Sequence, residues 1–304
     1  MPEGHSVHRL AAQFDSVFGG SRLAVTSPQG KFAAGAARLV GAVLVSAGAH
    51  GKQLFLAFDN DLYLRVHLGL YGAWGFGGDR TFRGASSIAA PRRVGERETY
   101  DDVRDGGPAP GYSGPPEPVG QVRARLVSDH GWADLRGPAA CEVLTDAGRA
   151  AVVARLGPDP LQPDPAGEAE FVRRLTARGT ALAALLMSQD VVAGVGNIYR
   201  AETLFRRGLN PWLRGRDLDA AAAAALWADI AAAMADGVRD GRIITTLPRH
   251  RPDPGLPVRP DSAHYVYQRQ GLPCRICAAP VALAEMGGRK LYWCPGCQGG
   301  PPGT

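Results

Sequence analysis

The apolar positions change their period along the chain. Val7, Leu10, Ala11, Phe14, Val17 and Phe18 mark one face at helical spacing, which predicts a helix over residues 3–18. Gly19 and Gly20 end it. Short β-like runs follow at 23–26, 43–46, 54–58 and 62–67, with Asp59, Asn60 and Asp61 as a hairpin between the last two. Over 77–118 the pattern dissolves into Gly, Pro, Arg and Asp with few large apolar residues, which predicts a long flexible insertion. Strands resume at 122–127, 132–135 and 142–144. Strands gathered around a single helix predict a β-sandwich with helices at its edge.

Residues 156–165, Leu-Gly-Pro-Asp-Pro-Leu-Gln-Pro-Asp-Pro, hold four prolines and read as a domain linker. Beyond it the period turns helical. Helices are expected over 169–178, 181–188 and 198–207. A fourth is capped by Asp217, with Leu226, Ile230, Met234 and Val238 repeating at i+4. A Pro- and Arg-containing loop spans 245–260, and 264–268 is strand-like.

Composition adds limits. A chain of 304 residues has room for two ordinary domains, and 45% hydrophobic with 21% charged residues is the balance of a globular chain with a buried core. No apolar run approaches eighteen residues and no basic-then-apolar leader opens the chain, so the expectation is a cytoplasmic protein with no membrane partner. The net charge of +5 is unevenly placed. Residues 1–164 carry 17 Lys+Arg against 17 Asp+Glu, and residues 165–304 carry 17 against 12. A basic second half suits a polyanion, although a solvated surface fits equally well. The insertion is not a basic arm, with 6 Arg against 7 acids.

The strongest chemical signal is Cys274-Arg-Ile-Cys277 and Cys294-Pro-Gly-Cys297, separated by sixteen residues. Two Cys-x-x-Cys knuckles on hairpin turns present four thiolates tetrahedrally, which suits one structural Zn²⁺ with no open coordination position. A redox dithiol would use one pair, not two. Cys141 stands apart as a small, buried apolar residue.

Other positions admit two readings each. Pro2 and Glu3 are a helix leader, or an amine nucleophile exposed by loss of Met1 beside a carboxylic acid. At the helix N-terminus the dipole keeps such an amine neutral. Gly194, Gly196 and Asn197 make a tight interhelical turn, or a helix N-terminus open to phosphate. Lys52 is surface, or a phosphate ligand at the start of a strand. Leu70 and Tyr71, in a Gly-flanked turn, are core residues or a wedge for a base stack. Arg289 falls at a hairpin tip, solvated or gripping a phosphate.

In this order, these pieces resemble the formamidopyrimidine-DNA glycosylase and endonuclease VIII family. The likeness runs through the Pro-Glu-Gly start, Gly51-Lys52, His67-Leu-Gly-Leu-Tyr71-Gly, Leu-Gly-Pro at 156–158, Gly-Val-Gly-Asn-Ile-Tyr at 194–199 and the four cysteines. The resemblance implies a two-lobed α+β fold with DNA in the cleft between the lobes. A catalytic β-sandwich domain would span 1–155, a linker 156–165, a helix-two-turns-helix domain 166–263, a zinc finger 264–298 and a tail 299–304. It implies a bifunctional DNA glycosylase/AP lyase acting as a monomer on double-stranded DNA with damaged bases or abasic sites. Pro2 would attack C1′, and Glu3 would be the acid that opens the sugar. Lys52, Asn197 and Arg289 would hold phosphates, Lys52 as part of the catalytic set. Leu70 and Tyr71 would fill the gap left by the extruded base. The Pro-Glu-Gly and Leu-Tyr elements resemble the endonuclease VIII branch, which implies oxidised pyrimidines rather than oxidised purines as substrates. The alternatives are non-catalytic damage binding on the same scaffold, or a glycosylase for oxidised purines (formamidopyrimidine or 8-oxoguanine). Where family members commonly carry Pro-Glu, this chain has His5 and Ser6, so the second carboxylate is absent.

Overall fold

The computed structural model describes residues 2–89 and 114–301. Met1, residues 90–113 and residues 302–304 lie outside the described residues, and with them the larger part of the expected insertion and the end of the tail. Two compact units divide the described chain, one ending at Ala154 and the other beginning at Arg155.

In the first unit the elements are α1 (Gly4–Phe18), β1 (Ala24–Thr26), α2 (Ala33–Ala37), β2 (Leu44–His50), β3 (Gln53–Phe58), β4 (Leu62–His67), β5 (Ala73–Gly78), β6 (Ser87–Ile88), β7 (Val122–Val127), β8 (Gly131–Arg136), β9 (Ala140–Thr145) and α3 (Asp146–Val153). They form two antiparallel sheets, ordered β2-β3-β4-β9 and β1-β7-β8-β5-β6. One core draws Leu54, Leu56, Leu64 and Val66 from the first sheet, and Trp74, Phe76, Leu126 and Leu135 from the second. The apolar face of α1 seals it. The Phe14 ring meets Trp74 edge-on at 4.8 Å and Phe76 at 5.2 Å.

Several expectations shift. Residues 73–89 are ordered: β5 pairs with β8, and β6 adds to its other edge. Gln13 of α1 holds Ala85 through both its amide groups, at 2.8 and 2.9 Å. The alternation of β5 is hidden because every second residue after Trp74 is glycine. Gly77 is required there, since a Cβ would stand 2.8 Å from the Trp132 ring. The strand expected at 43–46 runs on to His50, its second half masked by Ala47, Gly48 and Ala49.

Beneath the second sheet sits a buried charge pair. Asp134 takes Arg125 in bidentate fashion at 2.7 and 2.9 Å and Arg136 at 3.0 Å. The same arginines reach the carbonyls of Pro116 (2.8 Å) and Val119 (2.9 Å), tying down the segment that enters β7.

The second unit contains α4 (Gly167–Thr176), α5 (Leu182–Leu185), α6 (Asn197–Arg206), α7 (Ala220–Asp240), β10 (Ala282–Met286), β11 (Arg289–Trp293) and α8 (Pro295–Gln298). The linker composition at 156–165 does not leave a free tether. Gly157 N–H donates to the Gln189 carbonyl at 2.8 Å, and its Cα lies so close to Val191 that a Cβ would meet backbone at 2.6 Å. The helix expected over 181–188 is a single turn. The fourth helix is capped by Asp219, which accepts from Ala222 N–H at 2.8 Å, while Asp217 lies in a preceding 3-10 turn. With 21 residues, α7 is long and apolar enough for a membrane span, but Leu226, Ile230 and Met234 are buried in this unit's core and Asp229 pairs with Arg206 at 2.7 Å. It is a core helix.

Residues 264–268 are not a strand. The amides of Tyr265 (2.7 Å), Val266 (2.8 Å) and Tyr267 (2.8 Å) all donate to the buried carboxylate of Glu202, which the Thr245 hydroxyl also reaches. Three consecutive N–H groups aimed at one anion make a concave nest, a geometry that a ladder, with alternating directions, does not allow.

Replacing Asp134 with Ala takes the bidentate carboxylate away from the buried Arg125 guanidinium. Urea denaturation should show a loss of about 3–5 kcal/mol, whereas a loss under about 1 kcal/mol would mean that the pair adds little.

Candidate functional site

In the first unit Pro2 and Glu3 are both buried immediately ahead of α1. Glu3 is the N-cap residue with extended backbone, yet its side chain makes no capping bond. Its carbonyl accepts Ser6 N–H at 3.1 Å, which closes the first turn. His5 and Ser6 are buried alongside, with Ser6 Oγ 3.2 Å from His5 Nε2. Burial, assisted by the positive charge of Arg9, pushes the His5 pKa down to about 3. These two positions thus hold a neutral imidazole–hydroxyl pair and no carboxylate.

Lys52 stands in the two-residue turn joining β2 to β3, just ahead of the strand on which it is expected. Gly51 takes φ 56° there, a value that favours glycine. Directly across β3, His67 ends β4 paired with Gln53. Burial, then the charges of Lys52 and Arg65, lower its pKa, so His67 is a neutral hydrogen-bonding group beside the lysine. Pattern reading used His67 only as the first residue of its motif. A histidine closing a strand opposite a Gly-Lys turn was the signal available.

Leu70 and Tyr71 occupy the tight turn between β4 and β5. Gly72 N–H returns to the Leu68 carbonyl at 3.0 Å, and Gly69 takes φ 69° where a Cβ would strike Ala139. The turn throws both side chains outward, Leu70 46% and Tyr71 86% exposed. The core alternative for this pair is thereby excluded.

In the second unit, Asn197 opens α6 after the glycine turn. Gln189 braces that turn, accepting Gly194 N–H at 3.1 Å and donating to the Val195 carbonyl at 3.0 Å. Asn197 is itself buried, its Nδ2 donating to the Lys290 carbonyl at 3.0 Å. Arg289 begins β11, paired with Met286 across a turn of two left-handed glycines, Gly287 and Gly288. The structure thus brings Asn197 against the hairpin that carries Arg289.

The four finger cysteines converge, their Sγ atoms all within 4.8 Å of one another. Cys274 and Cys297 are 3.9 Å apart, and Cys277 and Cys294 are 3.3 Å apart. Tetrahedral thiolates around one zinc stand about 3.8 Å apart, so the donor set fits such an ion. The Ala279 amide lowers the Cys277 thiol to about 7, while burial raises Cys294 to about 11 and pushes Cys297 up as well. Four adjacent thiols ionise together only beside a cation. Cys141 is half-buried rather than buried, and burial raises its thiol to about 12.

Two family models match: the formamidopyrimidine-DNA glycosylase N-terminal domain over residues 1–107, and the formamidopyrimidine-DNA glycosylase H2TH domain over 156–248. Endonuclease 8 1 of Mycobacterium tuberculosis is 42% identical over 300 residues, covering 98% of this chain and 100% of that one. Formamidopyrimidine-DNA glycosylase of Bordetella parapertussis is 32% identical, over 86% of this chain and 83% of the relative. Among solved structures, the MutM (Fpg) protein of Thermus thermophilus superposes with a TM-score of 0.72 at 28% identity, covering 99% of this chain and 100% of that one. Lactococcus lactis Fpg bound to abasic-site DNA shares the fold, with a TM-score of 0.71 at 17% identity over 97% and 99% of the two chains. The chain belongs to the formamidopyrimidine-DNA glycosylase family, whose members are DNA glycosylases and AP lyases. Within it, the full-length likeness to an endonuclease 8 puts it in the endonuclease VIII-like branch.

A buried neutral His5 has a consequence for stability. Between pH 6.5 and about 3 the unfolded chain takes up a proton that the folded chain refuses. His5 therefore opposes folding increasingly as pH falls through that window, and not above it. NMR titration should leave the His5 ring neutral at pH 5, and a midpoint near 6.5 would contradict its burial. Replacing Cys294 with Ser should remove the bound metal, read by elemental analysis, and lower the melting temperature. A wild-type protein free of zinc would contradict the metal assignment.

Proposed function

We propose that the protein is a bifunctional DNA glycosylase/AP lyase of base excision repair whose nucleophile is the Pro2 amine, freed by removal of Met1. The observation that carries this reading is the burial of Pro2 and Glu3 side by side ahead of α1, with the Glu3 carboxyl not used to cap the helix. The lone pair of the secondary amine attacks C1′ as the C1′–N bond to the damaged base breaks, and the proton that the amine loses passes to the departing base. Glu3 protonates the ring oxygen, and the sugar opens to an iminium. That electron sink acidifies the 2′ hydrogen, so its loss expels the 3′ phosphate oxygen, and a second elimination expels the 5′ one. With no other acid in the first eight residues, Glu3 alone supplies the carboxyl at the chain start.

The target nucleotide must leave the duplex before C1′ is reached. Lys52, Asn197 and Arg289 hold phosphates around it, with His67 beside Lys52 as a neutral donor. The exposed Leu70 and Tyr71 fill the vacated stack. Oxidised pyrimidines are the favoured substrates, a preference supported by the Leu-Tyr turn and by the endonuclease 8 relative. The four cysteines hold one structural Zn²⁺, which shapes the finger and takes no part in the chemistry. The protein works as a monomer on duplex DNA in the cytoplasm. Its β-sandwich domain (1–155) carries the nucleophile, the helical domain (166–263) and finger (264–298) grip DNA, and 156–165 joins them.

Borohydride trapping on a duplex with one abasic site tests the chemistry. A covalent adduct should form with the processed protein and disappear when the N-terminus is blocked or Met1 is retained. Binding without trapping would instead support a non-catalytic damage-binding role. A panel of duplexes with single oxidised pyrimidines or purines then reads the preference, faster release of purines overturning it.

A further inference from the structure

Asn197 and Arg289 lie far apart in sequence, and a third side chain joins them. Arg200 sits one turn along α6 from Asn197, on the same face. It is only 1% exposed. Its Nη2 donates to Asn197 Oδ1 and, at 2.9 Å, to the Lys290 carbonyl, the same oxygen that accepts Asn197 Nδ2 at 3.0 Å. Lys290 follows the closing pair of the β10–β11 hairpin, Met286 and Arg289. Ladder alternation turns its carbonyl away from β10, onto the open edge of β11. The first turn of α6 covers that edge.

The chemistry of the three groups fixes their arrangement. A guanidinium has donors and no acceptor, so the side of the Asn197 amide facing Arg200 must be Oδ1. The Nδ2 group is then forced toward Lys290. One of its hydrogens is taken by the carbonyl, and the direction of the other is set. The same guanidinium holds the β11 backbone one residue beyond Arg289.

We propose that Arg200 is a positioning residue for DNA: it sets the orientation of the Asn197 amide and ties it to the Arg289 hairpin, making one preorganised anion clamp from two separate segments. The inference rests on the reading that Asn197 and Arg289 hold phosphates. Preorganised donors bind an anion without first losing conformational freedom, so the clamp acts on DNA affinity rather than on bond cleavage.

The test uses the full-length, zinc-loaded protein and a duplex with one abasic site. Arg200→Met keeps the apolar stem and removes the donors, while Arg200→Lys keeps a single charged donor group and covers the case in which Met fails to fold. Arg200→Met should raise Kd and KM about tenfold, with the trapping rate at saturating DNA and the zinc content unchanged, and Arg200→Lys should recover part of the affinity. The slope of log Kd against log salt should fall by about 1, as for Arg289→Ala. Combined with Arg289→Ala, Arg200→Met should add little, because both remove the same contact. Wild-type Kd and salt slope in Arg200→Met, or full additivity with Arg289→Ala, would overturn the inference. If Asn197→Ala and Arg289→Ala also bind as wild type, the phosphate reading fails instead.

Discussion

A carboxylate in the interior of the second unit dictates much of its backbone. Glu202 is fully buried, and an ionised carboxyl without hydrogen-bond donors would be far too costly to keep there. Its four donors come from Thr245, Tyr265, Val266 and Tyr267. Meeting that demand bends the chain into a nest just ahead of the first finger cysteine, Cys274, and joins the end of the loop after α7 to the middle of α6. The consequences extend outward. The Tyr265 hydroxyl accepts Leu247 N–H at 3.0 Å and pairs with His250 Nδ1 at 2.8 Å, so the basic loop around 247–251 is held by the residue whose amide Glu202 fixes.

The first unit solves the same problem with opposite charge. Arg125 and Arg136 enclose Asp134, and their remaining donors take backbone carbonyls of the segment leading into β7. In both units a buried ion is satisfied by groups whose other ends hold loops. The candidate side chains also stand on rigid supports: Lys52 on a two-residue hairpin, Leu70 and Tyr71 on a turn too tight for a Cβ at Gly72, and Asn197 on the first turn of a packed helix.

Much of this was legible in the chain. Alternation located β4 and β7 to the residue, because polar residues such as Tyr63, Arg65 and Arg123 interrupt apolar inward ones such as Leu64, Val66, Val122 and Leu126. It missed β5, where glycine replaces the outward side chains, and it shortened β2 where small residues erase the contrast. It read a strand at 264–268 because buried aromatics alternate there, although their amides answer to Glu202. That carboxylate was itself visible as an anomaly, an acid in step with Ile198, Ala201 and Phe205 on the apolar face of α6.

The sequence by itself determined the inventory: a Pro-Glu start, a Gly-Lys turn, an aromatic turn, a glycine turn before Asn197 and four cysteines at metal spacing. Those are local properties, set by residue type and by separations short enough for one turn to span. Only the tertiary structure decided the partnerships. It put His67 across from Gln53 and within reach of the Lys52 charge, exposed Tyr71, buried His5 as a neutral ring and gave Asn197 and the hairpin of Arg289 a shared guanidinium. Such pairings join segments tens of residues apart, and their energies depend on burial and on which donors face which acceptors. Neither quantity exists until the chain has closed on itself.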